Sequence, residues 1–122
     1  MIKDLFSTPI YTSQIKNIKV TEEINSVLTY NVFNTEWQPD NDTASTTFNP
    51  GVSENIIAEY QLNNIANEIL NHAELYINGV GQEIVNESLG INSSWLNTFN
   101  RNELIGLHEH GYQPNQISGC YY

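Results

Sequence analysis

The 122-residue sequence is short of cysteine and of positive charge: it has a single cysteine, Cys120, and 4 Lys+Arg against 14 Asp+Glu. One cysteine cannot form a disulfide within the chain, which fits a reducing compartment. A formal net charge of −10 leaves no basic surface to displace counterions from phosphates, so we expect no nucleic-acid partner. The same shortage of cations argues against an anionic membrane surface.

Long apolar runs are also missing. The opening, Met1–Leu5, contains no stretch that could serve as a signal peptide or a membrane span. Without a secretion signal, the Asn-x-Ser/Thr triplets of this asparagine-rich chain are interpreted as chance matches. The sequence therefore predicts one soluble domain over residues 1–122, in the cytoplasm, with no membrane partner.

Apolar spacing predicts a first, short helix. Thr21 is suited to cap its start, Glu22 and Glu23 favour its first turn, and the helix is expected to end near Tyr30. Its apolar face consists of Ile24, Val27 and Leu28.

A second, longer helix is predicted over Ser53–Asn78. Ser53 is its expected cap, and Gly79 is expected to end it in a left-handed conformation. The helix is amphipathic and should pack on a sheet. Its apolar stripe contains Ile56, Tyr60, Ile65, Ile69, His72 and Tyr76.

The remaining segments predict extended structure and loops. Residues 4–18 should be extended, and the polar residues 31–51 should form a long loop or an insertion. Three strands are expected over Ile91–Asn100, Glu103–His110 and Ile117–Tyr122. The last two would be joined by a turn around Gly111, Pro114 and Asn115. Helices followed by strands predict an α+β fold with a largely antiparallel sheet.

His108 and His110 are the residues with the clearest potential for chemistry. On a strand, side chains at i and i+2 share a face, while Glu109 points to the opposite face unless a bulge turns it. Two such imidazoles can bind one divalent metal: iron, zinc, copper or nickel. The alternative is a pair of surface histidines near a turn. The only other histidine, His72, lies on an apolar helix stripe, where a core or boundary role is favoured over metal binding.

Four blocks of the sequence resemble a known family. They are Asp4–Tyr11, Ser94–Asn97, His108–His110 and Ile117–Tyr122. In order and approximate spacing they are similar to the pattern lFptPiy, W-x-N, H-x-H and SGxYY of a family of 2-oxoglutarate-Fe(II) oxygenases from bacteria and tailed phages. The resemblance runs from the first residues to the last, with a divergent loop in the middle. The C-terminal block is its most specific part.

The resemblance implies a double-stranded β-helix, or jelly-roll, with N-terminal helices packed on its first strands. Helical support would span residues 20–79 and the β-helix would start within residues 91–122. Iron(II) would be the metal and 2-oxoglutarate the cosubstrate, with His108 and His110 as metal ligands. Asn97 and Tyr121 would contact the cosubstrate, although packing or a structural hydrogen bond are alternatives. His110 stands where the wider superfamily has a carboxylate, so a site in which it does not bind iron stays open.

The implied reaction is oxidation or hydroxylation of an unidentified small molecule or protein, with release of succinate and CO2. The family also uses a distal histidine and an arginine beyond the SGxYY block, whereas the only arginine here, Arg101, precedes the H-x-H motif. We therefore expect the N-terminal portion of such an enzyme, with an incomplete barrel and weak activity alone. Its partner would be the missing C-terminal half or a second copy, in a bacterium or an infected host cell.

Two other functions compete with this one. The first is a non-catalytic phage structural or binding module that keeps the fold. The second is a cupin-like metal protein with a different reaction.

Overall fold

The computed structural model describes residues 8–29, 45–82, 88–103 and 117–122. The elements of these residues, in chain order, are α1 (Ile18–Thr29), β1 (Ser45–Thr46), α2 (Ile56–Glu59), α3 (Asn63–Gly79) and β2 (Asn97–Thr98). β1 and β2 pair antiparallel, with Ser45 opposite Thr98 and Thr46 opposite Asn97. The described part is thus mixed helix and antiparallel strand, as expected for the α+β class.

Helix α1 begins earlier than its acidic residues suggested. Its first residue is Ile18, and the Asn17 side chain accepts the backbone N–H of Lys19 at 3.1 Å, so Asn17 caps the helix. The prediction that Thr21 is the cap was wrong. The earlier start brings Val20 onto the inner face, where it is fully buried.

The predicted single helix over Ser53–Asn78 is broken into α2 and α3. The cap of α2 is Asn55, whose side chain accepts the N–H of Ala58, and not Ser53, whose hydroxyl donates to Glu59 at 2.6 Å. In an uninterrupted helix, Ile56 and Leu62 would lie about 120° apart around the axis. The break allows both side chains to enter the same core cluster.

The break itself is a Schellman motif without glycine. The N–H of Leu62 donates to the carbonyl of Ile57 at 2.9 Å, and that of Gln61 donates to Ala58 at 3.3 Å. Gln61 has a φ of 53° in the left-handed region, which glycine normally occupies. The sequence therefore carries no glycine signal for this helix end.

Helix α3 ends in the same motif, two residues later than expected. The N–H of Gln82 donates to Ile77 and that of Gly81 donates to Asn78, each at 3.1 Å. The left-handed residue is Gly81, with a φ of 72°, whereas Gly79 is the last helical residue. The prediction that Gly79 adopts the left-handed conformation was wrong.

The core of the described residues lies between the helices. Its fully or nearly buried members are Val20, Val27, Ile56, Leu62 and Ile65. Leu96, next to β2, packs against this cluster from the strand side. Helix α3 therefore packs on α1 and α2, with one side chain from the strand segment, rather than on a broad sheet.

Strand content in the described residues is smaller than predicted. Of Ile91–Asn100, only Asn97–Thr98 is a strand, with an isolated bridge from Ser94 to Asn55. Ile117–Tyr122 has no regular secondary structure, so that predicted strand was wrong. The predicted strand Glu103–His110 lies outside the described residues apart from Glu103, which is not in a strand.

Candidate functional site

Hydrogen bonds to residues 45–57 hold the segment that contains the Trp95–Asn97 block. The N–H of Thr47 donates to the Leu96 carbonyl at 3.0 Å, and the N–H of Leu96 donates to the Thr47 hydroxyl at 2.9 Å. Thr47 is itself buried. These bonds hold the strand segment against β1 in one register.

Asn55 anchors the other end of the same segment. Its side-chain amide donates to the carbonyl of Ile91 at 2.7 Å, and its oxygen accepts the Ser94 hydroxyl at 2.7 Å. The Ser94 hydroxyl in turn accepts the backbone N–H of Ile57 at 3.1 Å. These hydrogen bonds therefore hold residues 91–94, which precede the W-x-N block, against the start of α2.

Asn97, a predicted cosubstrate residue, is half-buried in β2 opposite Thr46. The Trp95 ring next to it packs on Phe48, with ring centroids 5.2 Å apart and an interplanar angle of 56°. This tilted arrangement is a favourable one for aromatic pairs. The strand position predicted for Asn97 is confirmed; its contact with a cosubstrate stays a prediction.

Just after β2, Glu103 closes a short turn. Its carboxylate accepts the backbone N–H of Asn100 at 2.6 Å and the side-chain amide at 3.0 Å. The side-chain and backbone hydrogen bonds from Asn100 lower the pKa of Glu103 below its ordinary value.

Tyr121, the other predicted cosubstrate residue, lies in a different place. It lines an open groove of about 310 Å³ together with Ser13, Gln14, Ile15, Lys16, Cys120 and Tyr122. Asn97 is not among the lining residues, so the structure does not bring Asn97 and Tyr121 together in this groove. Lys16 contributes the only charged side chain among the lining residues, a feature the spacing of motifs did not indicate.

The predicted metal ligands His108 and His110 lie outside the described residues, as do Glu109 and the turn around Gly111 and Pro114. Within the described ranges, no group of three or more His, Cys, Asp and Glu side chains is placed to hold a metal ion.

His72 has partners that sequence spacing did not reveal. The hydroxyl of Tyr11 lies 2.8 Å from its Nδ1, and Glu68 Oε2 lies 3.9 Å from its Nε2. The side chain is half-buried on α3, which agrees with a boundary histidine. Because Tyr11 comes from the segment before α1, 61 residues away along the chain, no local pattern could have indicated this contact.

Comparison with known proteins finds no family model, curated protein sequence or solved structure that matches this chain. Among the residues described, no helix is long and apolar enough to cross a membrane.

Proposed function

We propose that this chain carries the iron-binding motif of a 2-oxoglutarate-dependent oxygenase, with His108 and His110 as two metal ligands. The observation that carries the proposal is the H-x-H pair, placed in order between a W-x-N block and an SGxYY block. Imidazole is a suitable ligand for ferrous iron, and two imidazoles leave positions open for other ligands.

The architecture we propose for the domain is a double-stranded β-helix with helical support from residues 20–79. The antiparallel β1–β2 ladder and the inward Leu96 are compatible with the start of such a β-helix. In an antiparallel strand pair, successive side chains point to opposite faces, so one can pack on the core while the next faces a ligand. A double-stranded β-helix would use this alternation.

Each proposed site residue has a distinct role. His108 and His110 hold the metal, and the Asn97 amide donates a hydrogen bond to a carboxylate oxygen of 2-oxoglutarate. Iron with 2-oxoglutarate, when bound, would let molecular oxygen hydroxylate a C–H bond, with one oxygen atom entering the substrate, the other entering succinate, and CO2 released. The substrate class is a small molecule or a protein side chain.

The decisive experiment is an anaerobic titration of the full chain with Fe(II), followed by 2-oxoglutarate. We expect a visible charge-transfer absorption that requires both components. His108→Ala and His110→Ala should each weaken iron binding at least about tenfold, because each removes a ligand. His72→Gln is the matched histidine control and should leave the absorption unchanged.

Other results would point elsewhere. Iron binding that 2-oxoglutarate never perturbs would indicate a metal protein with another reaction. Iron binding unaffected by either His108→Ala or His110→Ala would refute the proposed ligands, and a chain that binds no iron would favour a non-catalytic binding or structural module.

A further inference from the structure

Three partly buried or exposed side chains, those of Tyr11, Glu68 and His72, form a linked group at α3, away from the proposed iron motif in sequence. Tyr11 Oη lies 2.8 Å from His72 Nδ1, and the two rings pack with centroids 5.7 Å apart. His72 Nε2 lies 3.9 Å from Glu68 Oε2, and the side chains of His72 and Glu68 are only 23% and 27% exposed. The imidazole is therefore held from one side by Tyr11 and faces a carboxylate on the other.

The contact with Tyr11 occupies Nδ1 of His72, while Nε2 lies towards Glu68. If Nδ1 carries the proton and donates to the phenol oxygen, Nε2 presents its lone pair towards Glu68. A histidine that binds a metal commonly has its second nitrogen hydrogen-bonded in this way, which sets the tautomer and the ring orientation. A lone pair that faces a carboxylate is a favourable place for a cation.

The spacing of the two residues is that of a helical chelate. Residues at i and i+4 lie on the same face of a helix, one turn apart, which is how paired ligands on one helix reach a single zinc ion. A separation of 3.9 Å between donor atoms that both bind at about 2.0–2.2 Å needs only a small side-chain rotation to close on one ion.

We propose that Glu68 and His72 form a second divalent-metal site on α3, for ions such as zinc, nickel and copper, with Tyr11 as its positioning residue. Imidazole with a carboxylate suits these ions. Among the described residues no third His, Cys, Asp or Glu joins the pair, so water or an exogenous ligand completes the coordination. A net charge of −10 raises the local concentration of cations and favours occupancy.

The test uses a full-length His108→Ala/His110→Ala background. The chain has 3 histidines, so this background retains His72 alone, and every histidine signal reports on the proposed site. Zn²⁺ is added while calorimetry measures stoichiometry and NMR follows the imidazole resonances. We expect one equivalent of Zn²⁺ to bind and to shift those resonances.

Variants in the same background separate the chelate from general attraction to an acidic surface. His72→Gln should abolish binding, Glu68→Gln should weaken it at least tenfold, and Tyr11→Phe should weaken it severalfold by releasing the ring. Glu74→Gln is the matched control, since Glu74 is exposed on α3 about 200° around the axis from His72, and it should have no effect.

Two results would overturn the proposal. One is the absence of any shift in the His72 resonances at millimolar Zn²⁺. The other is Zn²⁺ binding that Glu68→Gln and Glu74→Gln reduce equally. Far-UV circular dichroism of each variant shows whether α3 is intact, and neither result bears on iron binding by His108 and His110, which the background lacks.

Discussion

The carboxylate of Glu23, in the middle of α1, accepts the backbone N–H of Ile65 at 2.9 Å, in the first turn of α3. Its other oxygen accepts the backbone N–H of Asn64 at 2.9 Å and the Asn64 side-chain amide at 2.6 Å. The residue in the cap position of α3 is Leu62, which makes no side-chain cap hydrogen bond. One helix thus supplies the cap of another, and the negative charge also favours the N-terminal end of the α3 dipole.

Removing the Glu23 carboxylate should destabilise the fold. We expect Glu23→Gln to lower the free energy of unfolding at pH 7 by about 1–2 kcal/mol, since a charged hydrogen-bond acceptor at a helix start is lost. Urea denaturation measures the difference. Glu22→Gln, which changes an exposed neighbour on the same helix, is the matched control. An equal loss in both variants would show that net charge, and not the cap, is responsible.

The same contact predicts a pH dependence. Burial raises the pKa of Glu23, but the hydrogen bonds from Asn64 and Ile65 outweigh it and leave the pKa below its ordinary value of 4.5. The carboxylate therefore stabilises the fold fully above its unfolded-state pKa, and this contribution is lost as the pH falls through the lower, folded-state pKa. The stability difference between the wild type and Glu23→Gln should shrink below about pH 4; a difference that grows there would contradict this contact.

The two Schellman motifs predict opposite effects of glycine. Gln61→Gly should stabilise the protein by about 1 kcal/mol, because it relieves a left-handed conformation that costs a side-chain-bearing residue roughly 1–2 kcal/mol. Gly81→Ala should destabilise it by about the same amount. Thermal denaturation would measure both.

Gly79→Ala is the control for this pair, because Gly79 lies in the last turn of α3 and has no positive φ. It should be neutral or stabilising by up to about 1 kcal/mol, in line with helix propensity. Destabilisation by Gly79→Ala but not by Gly81→Ala would mean that α3 ends at Gly79, as the sequence first suggested.

These helix ends show what sequence could and could not provide. The apolar spacing of Ile65 and Ile69 predicted α3, and the alternation around Trp95 predicted the position of Asn97 in a strand. The break at Gln61 could not be predicted, because its left-handed residue is a glutamine and its cause is the shared burial of Ile56 and Leu62. Local sequence signals predict a helix end poorly when tertiary packing determines where the helix ends.

Contacts between distant residues explain the other differences. The acidic residues after Thr21 favoured a helix start there, yet Glu23 serves the start of α3 instead. His72 was correctly placed at the boundary between the core and the surface of the helix, but its partner Tyr11 lies in a segment with no pattern that indicates the contact. For the candidate site, the H-x-H motif could be recognised in the sequence. Only the structure shows that Asn97 does not line the groove that contains Tyr121.

The core makes a simpler prediction. Val27 is 1% exposed and Val52 is 77% exposed, so the same substitution should have different effects at the two positions. Val27→Ala should cost about 1.5–3 kcal/mol, and Val52→Ala about 0.5 kcal/mol or less. Urea denaturation of both variants is the measurement. Similar losses would show that α1 does not pack as described.

Asn97 provides a test of the proposed cosubstrate contact. In the iron-loaded protein, Asn97→Ala should weaken 2-oxoglutarate binding about tenfold, the equivalent of one hydrogen bond to a charged group. The charge-transfer titration measures this affinity, and Thr98→Ala, the next residue in β2, is the control. Loss of stability with unchanged affinity would assign Asn97 a purely structural role.

The β1–β2 ladder has a consequence for the order of folding. Both α2 and α3 lie between its two strands in the chain, so the ladder closes only after a long loop has been brought together. The helices depend on local contacts that form in about a microsecond, whereas pairing of distant strands is slow. We therefore expect the W-x-N block to dock after the helices form, so that the contact between Phe48 and Trp95 reports the closing of the ladder.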